Sequence, residues 1–156
     1  MSERVLQGHH LDTNFKSEEL LRFPNDLYTQ LKKDFPRNQV NLMRQAYTFA
    51  SKAHDGQERM DGKPYISHPL EVARILVEMN MDVDSICAGL MHDVLEDCNI
   101  EKRNIDKIFG KDVSEIVDGV SKIGKLDFQS KAERDINSFQ KMALAMAKDV
   151  RVIVVK

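Results

Sequence analysis

Apolar residues recur every three or four positions along most of the chain, which is the spacing of one face of an α-helix. Capping residues precede several of these stretches, and the few glycines and prolines fall between them. The pattern predicts an almost entirely helical domain, preceded by an arm over residues 1–16 that has no periodicity. Helices are predicted to begin at Ser17, Asn25 and about Asp84, and to span approximately 38–56, 69–80, 100–109, 113–122 and 132–148.

The last six residues, RVIVVK, are dominated by β-branched residues and would favour a strand if they were considered alone. A single strand in a helical domain has no partner, and an isolated strand is not stable. We therefore expect this segment to begin a buried helix.

One predicted helix combines an apolar character with a concentration of charge. The segment 87–98 reads CAGLMHDVLEDC and contains His92, Asp93, Glu96 and Asp97. In a continuous helix, His92 would lie one turn from Glu96 and Asp93 one turn from Asp97, so all four would project from one stripe. Burying these carboxylates without a counter-charge would cost roughly several kcal/mol each. The segment therefore predicts a nearby cation, either a metal ion or arginines from elsewhere in the fold.

Composition narrows the class of protein. A chain of 156 residues with 42% hydrophobic and 31% charged residues fits one globular domain. The formal charge of −2 provides no overall attraction to DNA or to an anionic membrane. Cys87 and Cys98 lie too far apart along one helix for a disulfide. No apolar run approaches the ~20 residues of a membrane span, and the N-terminus lacks a signal-peptide core. We expect a soluble, cytoplasmic protein with reduced thiols.

The segment 55–69, DGQERMDGKPYISHP, contains two glycines and two prolines among charged residues and predicts an ordered loop. A helical hairpin would bring His68, at the end of this loop, close to His92 and Asp93. Two imidazoles and a carboxylate suit a divalent metal such as manganese, iron or zinc. On spacing alone, a helix cap at His68 and a hydrogen-bonded His92–Asp93 pair explain the same residues equally well.

Other candidate residues favour structural roles. His54 ends an apolar helical face, and we expect a hydrogen-bonded structural histidine there. Lys52, Arg59 and Lys63 flank the glycine loop and could meet phosphates, although a solvated charged surface explains them as well. The sequence contains no P-loop, GxGxxG turn, CxxC pair or GxSxG elbow, so those routes to nucleotide binding and acyl transfer lack support.

Four segments, in order, resemble the hydrolase domain of the RelA/SpoT family, whose bifunctional members make and destroy guanosine tetra- and pentaphosphate, (p)ppGpp. They read AYTFASKAHDGQERMDGKPYISHPLEVARIL, AGLMHDVLED, FGKDVSEIVDGVSKIGKL and KMALAMAKDVRVIVVK. The resemblance runs from about Val40 to the C-terminus and implies the all-α HD-domain helical bundle. It divides the chain into an arm with short helices over 1–37 and an HD hydrolase domain over 38–156.

The resemblance implies a manganese site formed by His68, His92 and Asp93. The family's fourth ligand is an aspartate in a segment reading LADRLHN, and the chain stops at Lys156, where that segment would begin. The chain is therefore expected to be a fragment that lacks this ligand and is impaired for that reason. A synthetase domain is expected in cis in the full-length parent protein.

The resemblance also implies catalytic roles for Glu96 and Asp97, which match a carboxylate pair that orients and deprotonates the attacking water. Metal-activated water would attack the 3′-pyrophosphate and release GDP or GTP and pyrophosphate. The family's nucleotide-binding loop reads RKSG, whereas this chain has Arg59, Met60, Asp61 and Gly62. The arginine that packs on guanine is kept, but a lysine is lost and an acid gained, which should weaken binding of a polyanion.

Three functional hypotheses follow. The first is a metal-dependent (p)ppGpp pyrophosphohydrolase domain. The second is an inactive regulatory HD domain that controls an adjacent synthetase, and the third is an HD phosphohydrolase acting on another nucleotide. The retained His-Asp and Glu-Asp pairs favour catalysis, whereas the altered loop favours the third hypothesis. An apolar patch left uncovered by absent segments would also allow a homodimer.

Overall fold

The computed structural model describes residues 22–124 and 151–155. Within these ranges the all-helical prediction is confirmed, and an isolated bridge between Glu58 and Pro64 is the only β pairing. The predicted arm and the helices expected from Ser17 and over 132–148 lie outside the described residues. The described helices are α1 (Asn25–Asp34), α2 (Arg37–Ala53), α3 (Ser67–Glu78), α4 (Val83–Met91), α5 (Val94–Asp97), α6 (Lys102–Phe109), α7 (Lys111–Gly124) and α8 (Arg151–Val155).

The C-terminal segment is helical. Arg151–Val155 forms α8, and Val155 is buried in the core. α8 packs against α4 and α7, where Arg151 also forms ion pairs with Asp82 and Asp84. The prediction of a buried helix in place of a strand is therefore confirmed for these residues, because tertiary burial outweighs the local β-propensity.

Helix α4 lies at the centre of the described bundle. Every residue from Ser85 to Met91 is buried, and the helix packs against α2, α3, α7 and α8. A helix that is apolar on all sides has no face suited to water, so it must be surrounded by other helices. The predicted buried character of this segment is confirmed, and its C-terminal end brings His92 to the edge of the core.

Helices α3 and α4 approach each other closely at Gly89. A Cβ atom at this position would lie 2.5 Å from Cδ1 of Leu76 and 3.3 Å from Cγ1 of Val72. Only the absence of a side chain allows this distance, and Leu76 itself is fully buried. Gly89 therefore brings α3, which carries His68, close to α4.

Two residues after the end of α3, Asn80 has the left-handed conformation, at φ 56°. The backbone N–H of Met81 donates to the carbonyl of Leu76, and that of Asn80 to Val77, both at 3.0 Å. This pair of bonds is the Schellman arrangement, which satisfies the last carbonyls of the helix. Asparagine tolerates this conformation better than most side chains, so the turn between α3 and α4 is encoded locally.

Two apolar side chains on α3 remain exposed. Ile75 and Met79 lie one turn apart and are 55% and 54% exposed. The homodimer expected from the sequence stays a prediction.

No described helix has both the length and the hydrophobicity needed to cross a bilayer.

We expect Gly89→Ala to lower the free energy of unfolding by about 1–3 kcal/mol, because the added methyl group overpacks the contact with Leu76. Urea denaturation followed by circular dichroism measures the change. The control is the same substitution in a Leu76→Ala background, where the vacated space should accommodate the methyl group. An equal loss in both backgrounds would show that the contact with Leu76 is not the cause.

Candidate metal centre

The loop between α2 and α3 is ordered, as the sequence predicts, and the structure adds that it forms a hairpin. The N–H of Arg59 donates to the carbonyl of Lys63 at 2.8 Å. The N–H of Tyr65 donates to the carbonyl of Gln57 at 3.0 Å. Gly62 occupies the turn at φ +81°, a conformation in which a side chain would be strained. The hairpin delivers Tyr65 to the beginning of α3.

His68 lies in the first turn of α3. The helix begins at Ser67, two residues before Pro69, where the sequence predicts its start. Proline is compatible with this turn, since its missing N–H would have no helical partner there. The backbone of His68 is held by a bond from its N–H to the carbonyl of Tyr65 at 3.1 Å. Its side chain is 36% exposed and faces the end of α4.

The prediction of one continuous helix through the acidic segment is wrong. Helix α4 ends at Met91 and the four-residue α5 begins at Val94, so His92 and Asp93 form the junction. Neighbouring residues of a straight α-helix point about 100° apart; at this junction Nε2 of His92 and Oδ2 of Asp93 nevertheless lie 3.0 Å apart. The N–H of Asp97 still donates to the carbonyl of Asp93 at 2.9 Å, so these two residues remain one turn apart.

The His92 ring is oriented by a hydrogen bond to backbone. Its Nδ1 lies 2.7 Å from the carbonyl oxygen of Gly89, which can only accept, so Nδ1 carries a proton. In the neutral ring, Nε2 then presents a lone pair, and it lies 3.0 Å from Oδ2 of Asp93. Two lone pairs at this distance repel unless a proton or a cation lies between them. The arrangement fits either a charged His92 or a metal ion.

Three ligand atoms converge at this point. One atom each from His68, His92 and Asp93 lies within 4.8 Å of the other two, the only such group of three among the described residues. Nε2 of His68 is 3.9 Å from Oδ2 of Asp93, and the two imidazole rings are 5.1 Å apart. Two imidazoles and a carboxylate are the donor set of divalent first-row metals, so these side chains fit a metal ion.

The electrostatics of the cluster favour ligand protonation states. Burial would raise the pKa of Asp93, but the hydrogen bond and charge of His92, with the bond from Tyr65, lower it to about 2. Burial lowers the pKa of His68, and the neighbouring His92 lowers it further. Asp93 is thereby kept ionised and His68 is shifted toward its neutral form, as metal coordination requires of these two side chains, whereas a charged His92 must lose its Nε2 proton before that atom can bind a metal.

Tyr65 is a member of the site that the sequence analysis missed. Its hydroxyl lies 2.7 Å from Oδ2 of Asp93 and 3.0 Å from Oδ2 of Asp97. Burial and the bond to Asp93 raise the pKa of Tyr65, so the hydroxyl keeps its proton and donates. The sequence did contain an indication of this role. Tyr65 lies three residues before His68, and a helical turn that starts at Tyr65 places both side chains on the same side of the turn.

The two predicted catalytic carboxylates lie on α5. Asp97 joins the cluster through Tyr65. Glu96 has a buried Oε1 atom, and α5 packs against α7. The structure thus links Asp97 to Asp93 through one hydroxyl.

The predicted substrate-binding residues belong to the hairpin and form ion pairs there. Nη1 of Arg59 lies 3.7 Å from Oε2 of Glu71, and Nζ of Lys63 lies 3.9 Å from Oδ2 of Asp61. Asp61 also accepts a bond from the backbone N–H of Lys63 at 3.1 Å, which closes the turn. These half-exposed pairs are weak and exchange readily for other partners.

His54 has the structural role that the sequence predicts. It is buried, its Nδ1 lies 2.9 Å from Oε1 of Gln57, and its ring stacks on Tyr65 with centroids 4.4 Å apart. Sγ of Cys98 is 3.2 Å from the same Nδ1 atom. Burial raises the pKa of Cys98 to about 12, so this thiol is neutral, and both cysteines are free.

Comparison with known proteins places this geometry in a family. The family model described as HD domain matches residues 46–156. The chain is 50% identical over 118 residues to a guanosine-3′,5′-bis(diphosphate) 3′-pyrophosphohydrolase of Vibrio cholerae, covering 76% of this chain and 17% of that protein. It is 47% identical over 121 residues to the bifunctional (p)ppGpp synthase/hydrolase SpoT of Escherichia coli, covering 78% and 17%.

A GTP pyrophosphokinase of Myxococcus xanthus is 42% identical over 124 residues, which cover 78% of this chain and 16% of that protein. The chain therefore spans about one sixth of the length of the curated relatives it matches. The resemblance to the RelA/SpoT family and the HD-domain fold expected from it are confirmed.

We expect Asp93→Asn to weaken Mn²⁺ binding at least about 10-fold, because an amide carries no charge and is a poorer ligand for a divalent metal. Isothermal titration calorimetry with MnCl₂ measures the change. Asp112→Asn, the same substitution at an exposed carboxylate on α7, should leave the affinity unchanged. Equal affinities for both variants would exclude Asp93 as a ligand.

Proposed function

The chain belongs to the HD-domain family, and from this membership we propose that it is a (p)ppGpp 3′-pyrophosphohydrolase domain of a RelA/SpoT-type protein. The observation that carries the proposal is the convergence of three ligand atoms, from His68, His92 and Asp93, within 4.8 Å of one another. The names of the relatives, which describe hydrolysis and synthesis of guanosine polyphosphates, supply the substrate class.

We propose His68, His92 and Asp93 as the ligands of a divalent metal, with Mn²⁺ as its identity. The HD-domain match implies a divalent metal without naming the element. When bound, the cation supplies Lewis acidity and neutralises phosphate charge. The His92 ring is held in the required tautomer by Gly89, which limits the reorganisation needed for binding.

The chemistry assigned to the chain's own residues is proton transfer and orientation. Asp97, with Glu96 beside it, takes the proton of the water that attacks the 3′-pyrophosphate. The water oxygen forms a new bond to the phosphorus carried by the ribose 3′-oxygen, the bond between that phosphorus and the 3′-oxygen breaks, and the 3′-oxygen takes up a proton, which gives pyrophosphate and GDP or GTP. Tyr65 supports this arrangement, because its hydroxyl contacts the carboxylate of Asp97 at 3.0 Å.

Arg59 and Lys63 are the proposed substrate contacts of the hairpin, with Arg59 against the guanine and Lys63 near phosphate. Each is held by a partly exposed ion pair, so a polyanionic ligand could replace Glu71 or Asp61 as partner. The carboxylate of Asp61 lowers the net positive charge that a phosphate would meet at the hairpin.

This acid favours a second candidate function, an HD phosphohydrolase of another nucleotide. The hairpin carries Met60, which is fully exposed, and Asp61 in place of the family's lysine and serine. A less charged ligand would suit these residues better than guanosine tetraphosphate does.

A synthetase domain in cis and a homodimer remain part of the proposal for the parent protein.

We expect Mn²⁺-dependent release of pyrophosphate from guanosine tetraphosphate, and a fall in kcat of about 10²–10⁴-fold in Asp97→Asn, because the proton acceptor is lost. Glu96→Gln should lower kcat in the same direction. Product analysis by anion-exchange chromatography measures both. The assay uses this chain beside a version extended at Lys156 by an LADRLHN-like segment, which supplies the fourth ligand that the family resemblance implies.

Asp112→Asn is the matched control and should retain full activity. Hydrolysis of another nucleotide in place of guanosine tetraphosphate would support the second candidate. Binding of the nucleotide without turnover in either length of chain would contradict an enzymatic role and favour a regulatory domain.

We expect the double substitution Met60→Lys with Asp61→Ser to lower KM for guanosine tetraphosphate about 3–10-fold while kcat stays unchanged. It adds one positive charge and removes the acid that pairs with Lys63, and both charges are exposed, so the gain is modest. Steady-state kinetics at low and high salt measure it, with Asp112→Ser as the control for loss of one acid. A KM that does not change at low salt would show that the hairpin does not contact the substrate.

A further inference from the structure

The hydroxyl of Tyr65 connects two carboxylates with different proposed roles. It lies 2.7 Å from Oδ2 of Asp93, in the metal-binding cluster, and 3.0 Å from Oδ2 of Asp97, the proposed proton acceptor. Both distances are within or at the limit of normal O–H···O hydrogen bonds. One oxygen atom therefore bridges the two carboxylates, which the backbone already places one turn apart.

The ring that carries this oxygen is held on several sides. His54 stacks on it with centroids 4.4 Å apart and an interplanar angle of 25°, and His68 meets it edge-on at 6.4 Å. His54 is itself fixed by Gln57 at 2.9 Å, and the carbonyl of Gln57 accepts the backbone N–H of Tyr65 at 3.0 Å. A phenol packed in this way holds its hydroxyl at a defined point.

This hydroxyl has one proton to share between two acceptors. A phenol donates one hydrogen bond at a time, whereas each ionised carboxylate can only accept. A cation bound at Asp93 draws on the lone pairs of that carboxylate and makes it a poorer acceptor. The proton is then left for Asp97.

We propose that Tyr65 is a positioning residue that holds Asp97 in a fixed relation to the metal cluster, and that it does so most firmly when Asp93 binds the metal. The inference rests on the proposed function for the role of Asp97. The link that Tyr65 makes between the carboxylates of Asp93 and Asp97 is independent of that function, because it is a property of the binding site itself.

The first measurement is the Mn²⁺ affinity of Tyr65→Phe, which removes the hydroxyl and keeps the ring that contacts His54 and His68. We expect affinity to fall about 10-fold, because Asp93 loses a partner that orients it. Tyr28→Phe is the matched control, since its ring lies on α1 near Lys32 and Arg44, and it should bind Mn²⁺ as the unchanged chain does. Thermal unfolding checks that both variants are folded.

The second measurement is a double-mutant cycle on Mn²⁺ affinity between positions 65 and 97. Asp97→Asn should weaken binding several-fold when Tyr65 is present, because an amide is a poorer acceptor and anchors less firmly the hydroxyl that orients Asp93. In the Tyr65→Phe background the same substitution should weaken binding less, since only the loss of charge at position 97 then acts. Losses that simply multiply would show that Asp97 acts only through its charge, and they would overturn the proposal, as would unchanged affinity in Tyr65→Phe.

The third measurement separates this inference from the proposed function. In the form of the chain that hydrolyses guanosine tetraphosphate, Tyr65→Phe at saturating Mn²⁺ should lower kcat about 10–100-fold, with KM changed less than about twofold. An inactive unchanged chain would contradict the proposed function, and the Mn²⁺ cycle would still decide the role of Tyr65. An active chain with equal kcat in Tyr65→Phe would overturn the positioning role alone.

Discussion

The carboxylate of Asp93 is the constraint around which the described site is organised. Its side chain is only 13% exposed, and an ionised group at that depth is costly without donors or a cation. The structure supplies His92 on one side at 3.0 Å and the Tyr65 hydroxyl on the other at 2.7 Å. His92 is adjacent to Asp93 in the chain, whereas Tyr65 comes from the end of the hairpin, so stabilising this charge brings the hairpin and the end of α4 together.

The junction between α4 and α5 carries this charge and its nearest partner. His92 and Asp93 keep right-handed helical backbone angles there, and their Nε2 and Oδ2 atoms lie 3.0 Å apart. His92 donates from Nδ1 to the carbonyl of Gly89, and the same glycine lets α3 approach closely. One residue without a side chain therefore serves both the helix packing and the orientation of a ligand.

The charges of the hairpin affect both the stability of its turn and its interaction with a phosphate ligand. Asp61 closes the turn by accepting the backbone N–H of Lys63 and also lies 3.9 Å from its ammonium group. The departure from the family's loop sequence thus has a structural use in this chain, because the acid stabilises the turn that presents Tyr65. The same acid lowers the positive charge that a phosphate ligand would meet, so loop stability and substrate affinity are in opposition.

Local patterns in the sequence determined the described helices up to α7, the ordered loop and the structural role of His54, whereas the helical end of the chain runs against its local β-propensity. These depend on which residues recur on one face and on turn chemistry within a few positions, and both can be recognised without the fold. The His-Asp pair and its partner His68 could be predicted as candidates, and the family resemblance added their implied roles. Only the tertiary structure decided that the helix breaks at His92 and that Tyr65 joins Asp93 to Asp97. The contact from Tyr65 to Asp93 spans 28 residues, and it forms because burial of one charge requires a donor from another segment, which no local periodicity encodes.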